Sequence, residues 1–253
     1  VRVETAWLTW DAAQAAAANG SERRMIPGAA GAMLYDAARI GRPGPELFDA
    51  AAYGAQAEPV AAGGRQAAWF VQGEFGEGVL RHYRRGGLVA KISDRGYFWL
   101  GADRTRSFME FRLLESLAAQ GLPVPAPVAA AYWRQGLTYR AAIIVQRLPD
   151  VRPLALLLDQ AVWDAAADAV ARLHLAGVWH ADLNAFNILV DTAGKAWVID
   201  FDRGQQGGVS TPARIGNMRR LRRSLEKVGG AAGLAFFDKL EASYRRYMAS
   251  RPD

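Results

Sequence analysis

The sequence has no cysteine and only three histidines, His82, His174 and His180. The first absence excludes disulfides and thiolate metal sites, and the second leaves little for a zinc cluster. Any metal is therefore expected to be bound through oxygen. No apolar run approaches the ~20 residues that a transmembrane helix needs. The start, Val1-Arg-Val-Glu-Thr-Ala-Trp, lacks the basic-then-apolar pattern of a signal peptide, so a cytosolic location is expected. Internal repeats and low-complexity tails are also absent.

What is present is a chain of 253 residues, 51% of them hydrophobic, enough for one large domain or two lobes with a real core. The net charge of +6 is unevenly spread. Between Arg81 and Arg106 seven Arg or Lys stand against two Asp, and Arg214, Arg219, Arg220, Arg222 and Arg223 form a second block without acids. Such clusters suit phosphates, carboxylates, anionic lipid or nucleic acid; on composition alone a solvated face accounts for them equally well.

Residues 1–60 read as an irregular preface, with Ala-rich helical stretches broken by Gly20, Pro27, Gly41 to Pro45 and Pro59. From Gly63 short apolar runs bounded by glycines predict antiparallel strands at Ala67 to Val71, Val79 to Tyr83 and Leu88 to Ile92. Phe108, Phe111, Leu114 and Ala118 recur at helical spacing, predicting a helix over 107–119. Two more strands are expected at Val128 to Trp133 and Tyr139 to Val145, with a connector at Gln146 to Pro149. The division is thus 1–147, preface plus sheet, and 148–253, mainly helical. In the second part Asp159 is expected to cap a helix ended by Gly177. Strands at Ile188 to Val190 and Ala196 to Ile199 follow, then closing helices at Arg219 to Val228 and Leu234 to Met248.

The run His180-Ala-Asp182-Leu-Asn-Ala-Phe-Asn187-Ile-Leu-Val, followed by Trp197-Val-Ile-Asp200-Phe-Asp202, carries the chemistry. Protein kinases place an Asp five residues before an Asn on a loop, with a later Asp at a strand end. Asp182 would meet the acceptor hydroxyl, while Asn187 and Asp200 would hold Mg²⁺ through hard oxygens. His180, the other candidate catalytic residue, is expected to orient the loop by hydrogen bonding rather than to transfer protons. A nucleotide anchor has two registers. In one, Gly73, Gly76 and Gly78 cover the nucleotide and Val89-Ala90-Lys91 supplies the cation; in the other, Gly63 and Gly64 cover it and Arg81 replaces the lysine. Glu110 is the ion-pair partner in either case, although Ser107-Phe-Met-Glu110 also reads as a capping box. Ile143, Gln146 and Leu148 suit either an adenine slot or hinge packing.

With Gly-Val-Leu-Arg81-His-Tyr-Arg84-Arg85-Gly86-Gly87-Leu, Arg104-Thr-Arg106-Ser-Phe-Met-Glu110-Phe, Gly121-Leu-Pro-Val-Pro-Ala-Pro and the Asp182 loop in order, the chain resembles the 3-deoxy-D-manno-octulosonic acid (Kdo) kinases, from about Gly63 to Arg223. These belong with the lipopolysaccharide core kinases. The resemblance implies an α+β, protein-kinase-like two-lobed fold, with an antiparallel-sheet N-lobe and a mainly helical C-lobe. It also implies ATP and Mg²⁺ as cofactors and phosphorylation of the 4-hydroxyl of Kdo on lipid A precursor. The setting would be cytoplasmic, peripheral on the anionic inner-membrane surface, with no nucleic acid partner.

On that resemblance Arg84, Arg85, Arg104 and Arg106 would grip the acceptor's carboxylate and phosphates. Ala181 replaces the Arg that reads a phosphorylated activation loop, which argues against such regulation. Asp202 replaces the Gly of D-F-G, and either adds a metal carboxylate or binds Arg203. Rival readings are an antibiotic or other small-molecule phosphotransferase, and a basic nucleic-acid-binding scaffold with a kinase-like body. The first needs an acidic cleft for cationic acceptors, and the second has no use for Asp182, Asn187 and Asp200 together.

Overall fold

The computed structural model describes residues 21–26, 30–60, 68–83 and 96–250. In chain order the first strands are β1 (Ser21–Ile26), β2 (Gly31–Asp36), β3 (Ala57–Pro59), β4 (Ala68–Gly73), β5 (Gly76–His82) and β6 (Tyr97–Phe98). Helix α1 (Arg106–Ala119) follows, then β7 (Pro127–Gln135) and β8 (Thr138–Gln146). These strands form one antiparallel sheet in the order β1-β2-β7-β8-β5-β4-β3, with β6 pairing off β8.

The preface expectation fails in the described part of residues 1–60. β1 and β2 add a hairpin beside β7, and β3 pairs with β4 at the opposite edge. The reason is burial on both faces: Ala32, Met33, Leu34 and Tyr35 are all buried, so β2 shows no apolar–polar alternation. Gly31 opens that strand because a Cβ there would stand 2.4 Å from the Tyr132 carbonyl oxygen. Met33, Tyr35, Leu80, Ala131, Ala142 and Ile144 belong to one core with Phe48, Val71 and Phe75. Phe108 on α1 meets Tyr132 edge-on at 5.2 Å.

Ser107 is not a cap. Its hydroxyl donates to the Ala131 carbonyl oxygen at 2.9 Å, and α1 starts one residue earlier, so Glu110 is left for another partner. The expected strand at Leu88 to Ile92 lies outside the described residues.

One compact unit comprises the described residues up to Glu115 with Ala126–Arg147; the other comprises Ser116–Pro125 with those from Leu148 on. The second unit holds β9 (Arg152–Pro153), α2 (Trp163–Leu175), β10 (Val178–Trp179), β11 (Ile188–Val190), β12 (Ala196–Val198), β13 (Gln205–Gln206) and α3 (Thr211–Ser250). β12, β11 and β9 make a small sheet, and β10 pairs with β13. The architecture is α+β, an antiparallel sheet unit and a mainly helical unit.

Asp159 does not cap α2. The helix begins at Trp163 with Val162 at its N-cap, while Asp159 lies in a turn closed by Gln160 N–H donating to the Leu157 carbonyl at 3.0 Å. Alanines and valine on the buried face of α2 let α3 approach closely. The last helix also starts earlier than the sequence suggests. Thr211 leads into Pro212, whose missing N–H costs nothing in a first turn, and Ser210 Oγ accepts from Ala213 N–H at 3.4 Å. A break at Gly230, φ 55° and ψ −128°, separates its two halves; only glycine adopts that conformation readily.

Candidate active site

Residues 180–187 join β10 to β11, and side-chain and backbone hydrogen bonds hold the loop at His180, Asp182, Asn184, Ala185 and Asn187. His180 is 2% exposed. Its Nδ1 accepts from the Asp182 N–H at 3.1 Å, so Nε2 carries the proton and donates to the Ile199 carbonyl at 3.0 Å. Burial holds this histidine below its usual pKa, which keeps it neutral. With both ring nitrogens committed, His180 ties the loop to the strand end and is not a metal ligand. Its ring meets Phe201 edge-on at 4.9 Å.

Asn187 lies at the loop's other end. Its Nδ2 donates to the Asp182 carbonyl at 2.9 Å, as does Asn184 Nδ2 at 3.0 Å. Since a carbonyl only accepts, the Asn187 amide is fixed with Oδ1 as its remaining oxygen. The Asn187 carbonyl accepts from Ile199 N–H at 3.0 Å, carrying the β11–β12 pairing one step further to the edge of Asp200. Asp200 has φ 64°, a conformation Asp tolerates better than most residues. Asp202 and Arg203 lie in a turn closed by Gly204 N–H donating to the Phe201 carbonyl at 2.7 Å.

The Asp182 carboxylate meets Arg220 of α3, whose Nη1 donates to Oδ1 at 3.0 Å. On the same helix Asn217 grips the His180 backbone twice. Its Nδ2 donates to the carbonyl at 2.7 Å and its Oδ1 accepts from the N–H at 3.3 Å. Asn217 Oδ1 also pairs with His174 Nε2 at 3.2 Å, so that nitrogen is protonated and Nδ1 accepts from the Tyr244 hydroxyl at 2.7 Å. Burial pushes the His174 pKa down to about 4. Ser224 Oγ accepts from Ala185 N–H at 3.1 Å. Asn217, Arg220 and Ser224 follow one helical face at i, i+3, i+7. Sequence reading missed all three roles; the i, i+3, i+7 polar stripe beside a basic block was the available signal.

In the sheet unit, Arg81 Nη2 on β5 contacts both oxygens of Glu110 on α1 at 2.7 Å. Glu110 is 3% exposed and also accepts from the Tyr83 hydroxyl. Arg81 lies over the Tyr83 ring at 4.9 Å, and Arg106 over Tyr97 at 4.8 Å and Tyr83 at 5.8 Å. Arg81, Tyr83, Arg106 and Glu110 therefore form one cluster. Gly73 and Gly76 close a tight β4–β5 hairpin. Arg104 is exposed in a short 3₁₀ turn. Gln146 is exposed at the end of β8, its N–H donating to the Ala126 carbonyl at 2.8 Å, and Leu148 is partly buried. Lys91, Arg84, Arg85, Gly63 and Gly64 lie outside the described residues.

The donor set of the second unit fits a hard divalent cation. Asn187 Oδ1 and the Asp200 carboxylate offer oxygen donors, and among the described residues no group of three or more His, Asp or Glu gathers to hold a metal. A cation taking few protein ligands and completing its shell with phosphate oxygens and water behaves as Mg²⁺ does. Among the described residues no helix is long and apolar enough to cross a membrane.

Residues 51–242 match the model of the lipopolysaccharide kinase (Kdo/WaaP) family. Similar proteins include a 3-deoxy-D-manno-octulosonic acid kinase of Stenotrophomonas maltophilia (strain R551-3), 48% identical over 223 residues, covering 85% of this chain and 88% of that protein. Proteins of the same name from Xanthomonas axonopodis pv. citri (strain 306) and Xylella fastidiosa (strain M12) are 48% and 46% identical, with 85% and 86% of this chain covered and 88% and 89% of those proteins. The match spans the Arg81–Glu110 pair and the whole of loop 180–187, and the chain belongs to the lipopolysaccharide kinase (Kdo/WaaP) family, a phosphotransferase that uses ATP.

Proposed function

We propose that this protein transfers the γ-phosphoryl group of ATP to the 4-hydroxyl of a Kdo residue carried on lipid A precursor, at the cytoplasmic face of an inner membrane. The carrying observation is the built geometry of loop 180–187, in a chain whose relatives are named Kdo kinases over most of their length. Asp182 orients the acceptor hydroxyl toward the γ-phosphorus and takes its proton as the new O–P bond forms. In the same step the bond from the γ-phosphorus to the bridging oxygen breaks and ADP leaves. Because the transition state is loose, positioning and charge neutralisation carry most of the rate.

Asn187 Oδ1 and Asp200 are the ligands for Mg²⁺, which when bound neutralises phosphate charge. Arg81, braced by Glu110 and Tyr83, serves as the nucleotide-phosphate cation in the register that dispenses with a lysine. The planar, permanently charged guanidinium is the chemistry that suits it to a phosphate. Arg104 and Arg106, with Arg84 and Arg85, supply the positive field for the acceptor's carboxylate and phosphates, and the basic surface suits anionic lipid.

The test is transfer of labelled γ-phosphate to Kdo-bearing lipid A precursor in detergent, with Asp182→Ala alongside. Product bearing label on the 4-hydroxyl, absent with the variant, is expected. Label appearing only on protein, or undiminished transfer by Asp182→Ala, would overturn the assignment.

A further inference from the structure

Loop 180–187 reads His-Ala-Asp-Leu-Asn-Ala-Phe-Asn and contains no lysine or arginine. Phosphoryl transfer spreads charge over the three equatorial oxygens of the group in flight, and cationic donors next to the acceptor site stabilise it. The cation beside Asp182 arrives from 38 residues further along the chain, as Arg220. Its seat is fixed by its helical neighbours. Asn217, one turn before, holds the His180 N–H and carbonyl, and Ser224, one turn after, holds the Ala185 N–H. Those two act on backbone; Arg220 alone meets the carboxylate at the reaction point.

The Arg220 and Asp182 side chains are 47% and 57% exposed. Such a pair adds only about 0–1 kcal/mol to folding, so stability does not account for its placement. A guanidinium offers five N–H donors in a planar fork, and among the described residues one is committed, to Asp182 Oδ1. The others remain for an oxyanion bound next to the same carboxylate.

We propose that Arg220 is the phosphoryl-contacting cation of this enzyme. In the structure it donates to Asp182 Oδ1. In the reacting complex it keeps that bond and donates its other N–H groups to a nonbridging oxygen of the γ-phosphoryl group while the acceptor O–P bond forms and the bond to ADP breaks. The hydroxyl proton goes to Asp182, and Arg220 stays protonated throughout. This inference rests on the reading of Asp182 as the acceptor-hydroxyl residue. The same guanidinium also has the chemistry to take an acceptor carboxylate, and the kinetics separate the two.

Arg220→Ala, Arg220→Lys and Asp182→Ala are compared in steady-state phosphoryl transfer with ATP and acceptor varied separately, and each variant is followed by thermal unfolding. Arg220→Ala should lower kcat by roughly 100-fold or more while both KM values stay within about threefold. Arg220→Lys should recover part of the loss, and added guanidinium ion should partly restore Arg220→Ala. An unchanged kcat with a raised acceptor KM would overturn the proposal in favour of acceptor-carboxylate binding. Loss of activity that tracks a lowered unfolding midpoint, with no response to guanidinium, would overturn it in favour of a structural role. If Asp182→Ala is inactive and Arg220→Ala is normal, only the Arg220 role falls; if Asp182→Ala remains active, the reading of Asp182 falls with it.

Discussion

Asn187 Nδ2 donates to the Asp182 carbonyl across 2.9 Å, so the proposed metal ligand and the proposed hydroxyl-orienting residue are tied through one backbone atom. Removing the amide takes away an oxygen ligand and loosens the loop at the same stroke. Asn187→Ala should raise the Mg²⁺ concentration needed for half-maximal rate by roughly 10- to 100-fold. Asn187→Asp keeps an oxygen for the cation but loses the donor, so it should hold the Mg²⁺ requirement closer to the parent and fall mainly in kcat. Rates measured across a Mg²⁺ titration check both; an unaltered Mg²⁺ requirement for Asn187→Ala speaks against Asn187 as ligand.

His174 gives the fold an acid-sensitive point. Burial holds its pKa at about 4 in the folded protein, whereas an unfolded histidine titrates near 6.5. Below pH ~6.5 the unfolded chain takes a proton that the folded chain refuses until the pH nears 4. Stability is therefore complete above that range and is lost as pH falls through it, by roughly 3 kcal/mol at most. His180, also held below its ordinary value, works in the same direction. Urea unfolding at pH 7.5 and pH 5 should show the loss, and His174→Gln should flatten it. Equal pH dependence in parent and variant would count against His174 as its source.

The proposed catalytic loop and its hairpin could be read because they are local: Asp182 and Asn187 lie five residues apart and bond to each other, and the β11–β12 hairpin carries the next carboxylate a few residues on. Glu110 was legible as an ion-pair residue, while the choice of cation stayed open because either register placed one upstream. The structure puts Arg81 on Glu110 at 2.7 Å. What could not be read is what depends on long chain separation or on burial. Asn217 and Arg220 act on residues 37 and 38 positions away; their polar stripe marks a face of α3 but does not name the partner it meets. β2 escaped because both its faces are buried, which erases the period-2 signal, and because its place beside β7 joins residues about a hundred apart. α3 starts at Thr211, ahead of the expected Arg219, because Pro212 is tolerated in an opening turn where its missing N–H has no helical partner to lose.

Asn217→Ala should be among the costlier single changes in the helical unit. It strips partners from the His180 N–H, the His180 carbonyl and His174 Nε2, all in a buried setting. A buried polar group left without a partner costs about 1–3 kcal/mol, so a loss of at least ~3 kcal/mol in urea unfolding is expected. Because the loop loses its anchor while the nucleotide-side residues keep theirs, kcat should fall more than the KM for ATP rises. A stability change below about 1 kcal/mol would show that water or neighbouring groups replace the amide.

Arg81 and Glu110 make the last case, in which stability and the proposed nucleotide binding draw on the same pair. Glu110 is almost wholly enclosed, while the Arg81 side chain is 25% exposed, so the carboxylate is the partner that suffers when the pair is broken. Arg81→Ala should cost about 3 kcal/mol, the low end for breaking a buried pair, because an enclosed carboxylate loses the guanidinium that meets both its oxygens. Replacing both residues by apolar ones of similar volume, Arg81→Met with Glu110→Leu, should recover much of that stability, since neither charge then needs solvation. Activity should not recover with it, because the proposed nucleotide-phosphate cation is gone in both proteins. Urea unfolding of the single and double variants, run beside the KM for ATP, separates the two contributions: a double variant that regained its ATP affinity along with its stability would remove Arg81 from nucleotide binding and leave the pair a purely structural role.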